Sequence, residues 1–155
     1  MLLRSPCPLS IMRPAAAAAL FVASGLISSC RDISGPARTA WEGDLQPIGP
    51  AQVQGSVAVI SQFGRSETSI QIVSAEPGAT YSWRILSGSC QDGGAIVGGS
   101  AVYPALVPDP SGTAEGQTTL SRELDPEGSY AAWLFLVVSG AEEELSACGP
   151  LERLV

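Results

Sequence analysis

The chemistry open to this chain is bounded by its nucleophiles, bases and carboxylates. It has 155 residues, with four cysteines at 7, 30, 90 and 148 and fifteen Asp and Glu. Histidine, lysine and asparagine are absent, and all eight basic residues are arginine. The chain therefore lacks the commonest general base and the commonest metal ligand. A serine nucleophile needs such a base, usually His and sometimes Lys, so serine-type hydrolysis is not expected. Two carboxylates can cleave a glycoside, but the densest acidic cluster, Glu142-Glu143-Glu144, falls at an expected hairpin tip and reads as solvated. Asp109 and Asp125 sit in turn segments without the alternating oxygen ligands of a calcium loop. The pairs Gly93-Gly94 and Gly98-Gly99 are followed by neither a helix nor Lys, so they do not form a phosphate loop. Tyr81, Trp83 and Trp133 read as core rather than as a ligand platform. No catalytic, cofactor-binding or metal-binding residue is expected, and no cofactor.

Cysteine is left as the informative residue type. Residues 1–29 have the parts of a secretory signal. Arg4 and Arg13 are its charges, Ala15 to Ala23 is an apolar run, and Leu26-Ile27-Ser28-Ser29-Cys30 follows. The run is short for a membrane span of about 20 residues. Ile27-Ser28-Ser29-Cys30 resembles the bacterial lipobox: an aliphatic residue, two small residues, then the cysteine that takes diacylglycerol. The resemblance implies cleavage before Cys30 and a lipid anchor on its thiol. An ordinary cleaved signal with an incidental cysteine, or an uncleaved anchor, is the plainer alternative. Met12 offers a second start, in which case Cys7 is absent. In a bacterium with an outer membrane, Arg31 stands where an inner-membrane retention signal carries aspartate, which favours the outer membrane, facing the periplasm; otherwise the anchored domain is expected at the cell surface.

Loss of the leader leaves Cys90 and Cys148 as a pair in an oxidising compartment, so a structural disulfide is expected over two free thiols. The loop it closes gives about 4 kcal/mol as an upper chain-entropy figure. Cleavage also removes Arg4 and Arg13 but no acid, which takes the net charge from −7 to −9. An acidic chain without a basic cluster argues against nucleic-acid binding. It argues equally against electrostatic attachment to anionic lipid. The expected partners are the membrane, through lipid on Cys30, and a protein of the cell envelope.

The elements that must position these residues are short strands. Residues 31–52 are rich in Gly, Pro, Arg and Asp and read as a flexible tether after Cys30. Trp41 either docks on the domain or lies near the lipid. From Val53 the pattern alternates: Gln54–Ile60, Ser69–Ile72 and Thr80–Leu86, with Tyr81, Trp83 and Ile85 on one face. Phe63-Gly64-Arg65, Glu76-Pro77-Gly78 and Asp125-Pro126-Glu127-Gly128 are turns. A short strand is expected within Gly93–Gly99. Pro104–Pro110 is too proline-rich for a central strand, and Gly112–Leu120 is the next one. Tyr130–Val138 is apolar enough for a strand buried on both faces, and Leu145–Leu151 closes the fold. Seven or so short strands in residues 53–155, with no sustained helical period, predict an all-β antiparallel sandwich.

The order of these signals resembles a family. Glu76-Pro77-Gly78, a strand and then Ser87-Gly88-Ser89-Cys90 look like the copper/zinc superoxide dismutase pattern. So do Asp109-Pro110-Ser111-Gly112 and Ala147-Cys148-Gly149-Pro150-Leu151. The chain is also similar to the chordin-type (CHRD) modules of exported bacterial proteins. The resemblance covers about Val53 to Leu151 and implies a Greek-key β-sandwich with one disulfide, Cys90–Cys148. It does not carry activity. The family's copper His-x-His falls at Trp83 and Ile85, its other imidazoles are missing, and Arg153 does not match its active-site arginine. The expected function is a non-catalytic, membrane-anchored lipoprotein that serves as a binding or structural module of the envelope. The alternative is an envelope hydrolase or a metal or redox protein with a site free of histidine.

Overall fold

A computed structural model of the chain describes residues 38–139 and 142–154. Cys30, the leader and the lipobox lie outside them. The described residues form seven antiparallel strands: β1 (Thr39–Pro47), β2 (Gln54–Gln62), β3 (Arg65–Val73), β4 (Tyr81–Ser87), β5 (Ala114–Leu120), β6 (Tyr130–Ser139) and β7 (Glu142–Leu154). The strand order is β4-β6-β7-β1-β2-β3-β5, one continuous sheet curled into a half-barrel. The antiparallel all-β class and the disulfide match the sequence reading.

Alternation decides which side chains line the inside. In β3, Ser66, Thr68, Ile70 and Ile72 are buried, while the residues between them are exposed. In β2, Val57, Val59 and Ser61 are buried; in β4, Tyr81, Trp83 and Ile85 are. Trp41, Leu45 and Leu134 complete the interior.

Three local expectations need correction. The segment read as a tether contains β1, which lies in the middle of the sheet between β7 and β2. Trp41 docks on the domain: it is 1 % exposed and meets Tyr130 edge-on at 6.3 Å. The domain therefore begins near Thr39 rather than at residue 53. Gly93–Gly99 is not a strand but a loop joined to β4 by the single bridge Leu86↔Ile96. β6 is buried on both faces only near its start, where Ala131 is 0 % exposed; further along, the outer residues Trp133, Phe135 and Val137 stay half-exposed.

The β2–β3 hairpin turns on two residues, Phe63 at φ 55° and Gly64 at φ 77°. Paired left-handed residues match the twist of the strands they join. Glycine occupies this region freely, whereas phenylalanine does so at a cost of about 1 kcal/mol. The loop after β5 is tied to this hairpin. Ser61 Oγ and Ser66 Oγ lie 2.6 Å apart, Ser66 Oγ donates to the Arg122 carbonyl at 2.8 Å, and Leu124 N donates to Ser61 Oγ at 3.2 Å. At the tip, Gly64 N donates to Glu123 Oε1 at 2.6 Å.

Candidate functional site

The chemistry-bearing residues separate into an inert interior and polar outer faces. On the inner face of β4, Trp83 and Ile85 are 2 % and 0 % exposed. Trp83 donates its Nε1–H to the Pro104 carbonyl at 2.9 Å and packs edge-on against Tyr103 at 4.9 Å. Neither side chain offers a lone pair to a metal, so the positions that correspond to copper ligands in the resembled family do not fit one. Burial also pushes the Tyr103 hydroxyl above its ordinary range, and that hydroxyl donates to the Val97 carbonyl at 2.6 Å. Among the described residues no three His, Cys, Asp or Glu converge in a metal-binding group.

Cys90 and Cys148 are bonded, with Cα atoms 5.9 Å apart. Their positions in the chain explain the pairing. Ser87 ends β4, and the loop that follows folds back onto the outer face of β6 and β7. There Gly93 packs so close to the Trp133 ring that an added Cβ would sit 3.3 Å from it. Cys148 is the register partner of Trp133. The disulfide thus pins the loop to the strand beside the most prominent aromatic residue of that face.

The outer face of β4, β6 and β7 carries a cluster that joins polar and aromatic side chains. Alternation brings Ser82, Arg84, Trp133, Phe135 and Glu143 to this side. The rings of Trp133 and Phe135 stack with centroids 6.0 Å apart, and the Arg84 guanidinium lies 4.2 Å over Phe135. Arg84 is ion-paired to Glu143, which also accepts the Ser82 hydroxyl at 2.6 Å. The Ser82 hydrogen bond, followed by Arg84, holds the Glu143 carboxyl below its ordinary range despite partial desolvation. Trp133 is therefore not core, as the sequence suggested, but half-exposed on this face. Its Nε1 is buried and lacks a hydrogen-bond partner. Of the Glu142–Glu144 cluster, only Glu143 is drawn into a contact of this kind.

The remaining acidic candidates act locally. Asp109 accepts from Ser111 Oγ at 2.6 Å and from the backbone N–H groups of Ser111 and Thr113, which lowers its carboxyl and stabilises the turn. Asp125 Oδ1 caps its own turn through Glu127 N at 3.0 Å. A shallow groove of about 350 Å³ crosses the outer face of β2, β3 and β5 where Ala58 and Ser69 are small. Glu67 is its one titratable residue, so it has no partner for acid–base work.

Sequence reasoning missed the Arg84 cluster because its members come from three separate strands. The one available signal was the placement of Ser82 and Arg84 opposite the buried Trp83. No family model matches the chain, and no curated protein matches it.

Proposed function

We propose that this chain is an exported lipoprotein, anchored through lipid on Cys30, whose β-domain is a non-catalytic binding module of the bacterial envelope. The observation that carries this reading is the Cys90–Cys148 disulfide. A bonded pair fits an oxidising compartment, and it leaves Cys30, behind its lipobox-like segment, as the cysteine available for lipid. Family kinship to copper/zinc superoxide dismutase and chordin-type modules, without their metal chemistry, is supported by two features. One is the disulfide from the loop after β4 to the last strand. The other is the filling of the inner β4 positions by Trp83 and Ile85. Binding is favoured over catalysis because the ordered polar chemistry is an arginine held between aromatic and carboxylate partners on an outer face, a combination common in protein recognition.

Replacing Cys30 with Ser tests the anchor. The variant is expected to leave the membrane fraction and appear folded in the soluble one. If it stays membrane-bound after high-salt and carbonate washing, the lipoprotein reading is wrong.

A further inference from the structure

Strand direction fixes which loops share an end of the half-barrel. β1 begins where β2 turns into β3, where β4 and β5 end, where β6 begins and where β7 ends. The chain arriving from Cys30 therefore enters at this end. Thr39 follows Cys30 by nine positions, so the link spans at most about 30 Å even when fully extended. A random-coil link of that length would average roughly 15–20 Å. A lipid on Cys30 thus keeps this end of the domain close to the bilayer.

The same end has an unusual surface for a domain of such acidic balance. Five arginines are among the described residues, and four of them, Arg38, Arg65, Arg122 and Arg153, lie here and are exposed. Glu123, Asp125 and Glu127 share its loops, while Glu42, Glu67 and Glu152 stand a little further in on the strands. Glu127 faces Arg153 at 3.4 Å, and Glu123 is taken up by Gly64 N. With Asp92, on the loop that leaves β4 at this end, four arginines meet seven carboxylates here, whereas elsewhere among the described residues Arg84 alone stands against seven. The net negative charge of the domain is carried mostly away from the entry end. At the apex of that end stands Phe63, 66 % exposed, with Leu154, 48 % exposed, on a strand terminus of the same end. A two-residue turn of this kind favours Asn or Asp at the first position. Here an aromatic ring occupies it and projects into solvent, on a hairpin tied rigidly to the Arg122 loop.

We propose that this end is a membrane-docking surface. Phe63 seats in the interfacial layer of the bilayer that holds the Cys30 lipid, and Arg65 and Arg122 meet anionic headgroups. The more acidic remainder points away from the negatively charged surface. Total charge argued against attraction to anionic lipid. Placement weakens that argument at this end, where the acidic excess is smaller than elsewhere and charges act only within a Debye length of about 8 Å. Aromatic rings are favoured at the headgroup level. The inference rests on the lipid-anchor reading.

The test uses the full chain, purified with its lipid and reconstituted in vesicles of phosphatidylethanolamine and phosphatidylglycerol. Phe63→Trp is compared with Val107→Trp, a position at the opposite end that is also exposed. Lipids brominated near the headgroup end of the acyl chain quench an indole at the interface. The signal of each introduced indole is obtained by subtracting that of the unsubstituted protein. The indole of the Phe63→Trp variant is expected to be quenched at least about twofold more than that of Val107→Trp. The excess is expected to fall when phosphatidylglycerol is omitted or when Arg65→Gln and Arg122→Gln are introduced. Equal quenching at the two positions sinks the docking surface, and an excess indifferent to both charge changes removes the arginines from it. Should Phe63→Trp fail to fold, Leu154→Trp reads the same end. If the unsubstituted chain does not partition with the membrane, the lipid-anchor reading falls and takes this inference with it. Anchored Phe63→Trp protein whose introduced indole is not quenched overturns this inference alone.

Discussion

Glu143 shows how a single side chain acquires its properties from residues distant in sequence. Ser82 and Arg84 lie on β4, and β6 separates that strand from the Glu143 end of β7. Both still reach its carboxylate across the outer face. A depressed folded-state pKa means that the carboxylate stabilises the fold above its unfolded pKa. That contribution is lost as pH falls through the lower, folded value. The pair is partly exposed, so its contribution to stability is small, and the titration itself is the better observable. By NMR, the Glu143 carboxyl is expected to titrate below the ordinary glutamate range. Ser82→Ala and Arg84→Gln should each raise its midpoint, because the hydroxyl hydrogen bond is the largest single cause and the guanidinium adds a hydrogen bond and its charge. A midpoint unmoved by Ser82→Ala would show that the hydrogen bond is not made in solution. None of this was legible in the sequence, where Glu142, Glu143 and Glu144 look alike and only the register of β7 on β6 selects the middle one.

At the scale of elements, β1 is the instructive case. Its inner face is Trp41, Gly43 and Leu45, so the alternation that marks a strand is broken at its centre by a residue with no side chain. The structure explains the break. A Cβ on Gly43 would collide with the Pro150 carbonyl, and one on Gly149 with the Asp44 carbonyl. β1 and β7 approach so closely that glycine is required on both, and the property that lets β1 fit also hides it among Gly, Pro and Asp. The other strands were legible because Val57/Val59, Ile70/Ile72 and Tyr81/Trp83/Ile85 keep an uninterrupted period of two. A chain that starts at Ile48 is expected to stay unfolded and protease-sensitive, while one that starts at Arg31 folds. Within the longer chain Trp41→Ala should cost about 3–5 kcal/mol, much of the roughly 5–15 kcal/mol that typically holds a domain together. A folded, protease-resistant 48–155 fragment would restore the tether reading.

At the scale of the whole molecule, the question is whether the half-barrel is one cooperative unit or two sheets joined at a seam. β7 answers it structurally, because its thirteen residues pair with β1 on one side and β6 on the other. No other strand connects the β1-β2-β3-β5 part to the β4-β6 part in the hydrogen-bonded order. The disulfide is anchored on this strand, and the shared interior packs inner residues of both parts together, with Trp41 against Tyr130. Separating the parts would expose that interior on both sides, so a half-folded state has little to stabilise it. Two single-tryptophan reporters follow the two parts: Trp41 alone for β1, and Trp133 alone for β6, with Phe at the remaining tryptophan positions. Their urea transitions are expected to coincide in midpoint and slope. The Cys90→Ala/Cys148→Ala chain should lose up to about 4 kcal/mol while the two reporters still move together, because β7 keeps both ladders without the covalent bond. A Trp133 transition that separates from that of Trp41 once the disulfide is gone would show instead that the covalent link, and not β7, couples the β4-β6 part to the rest of the domain.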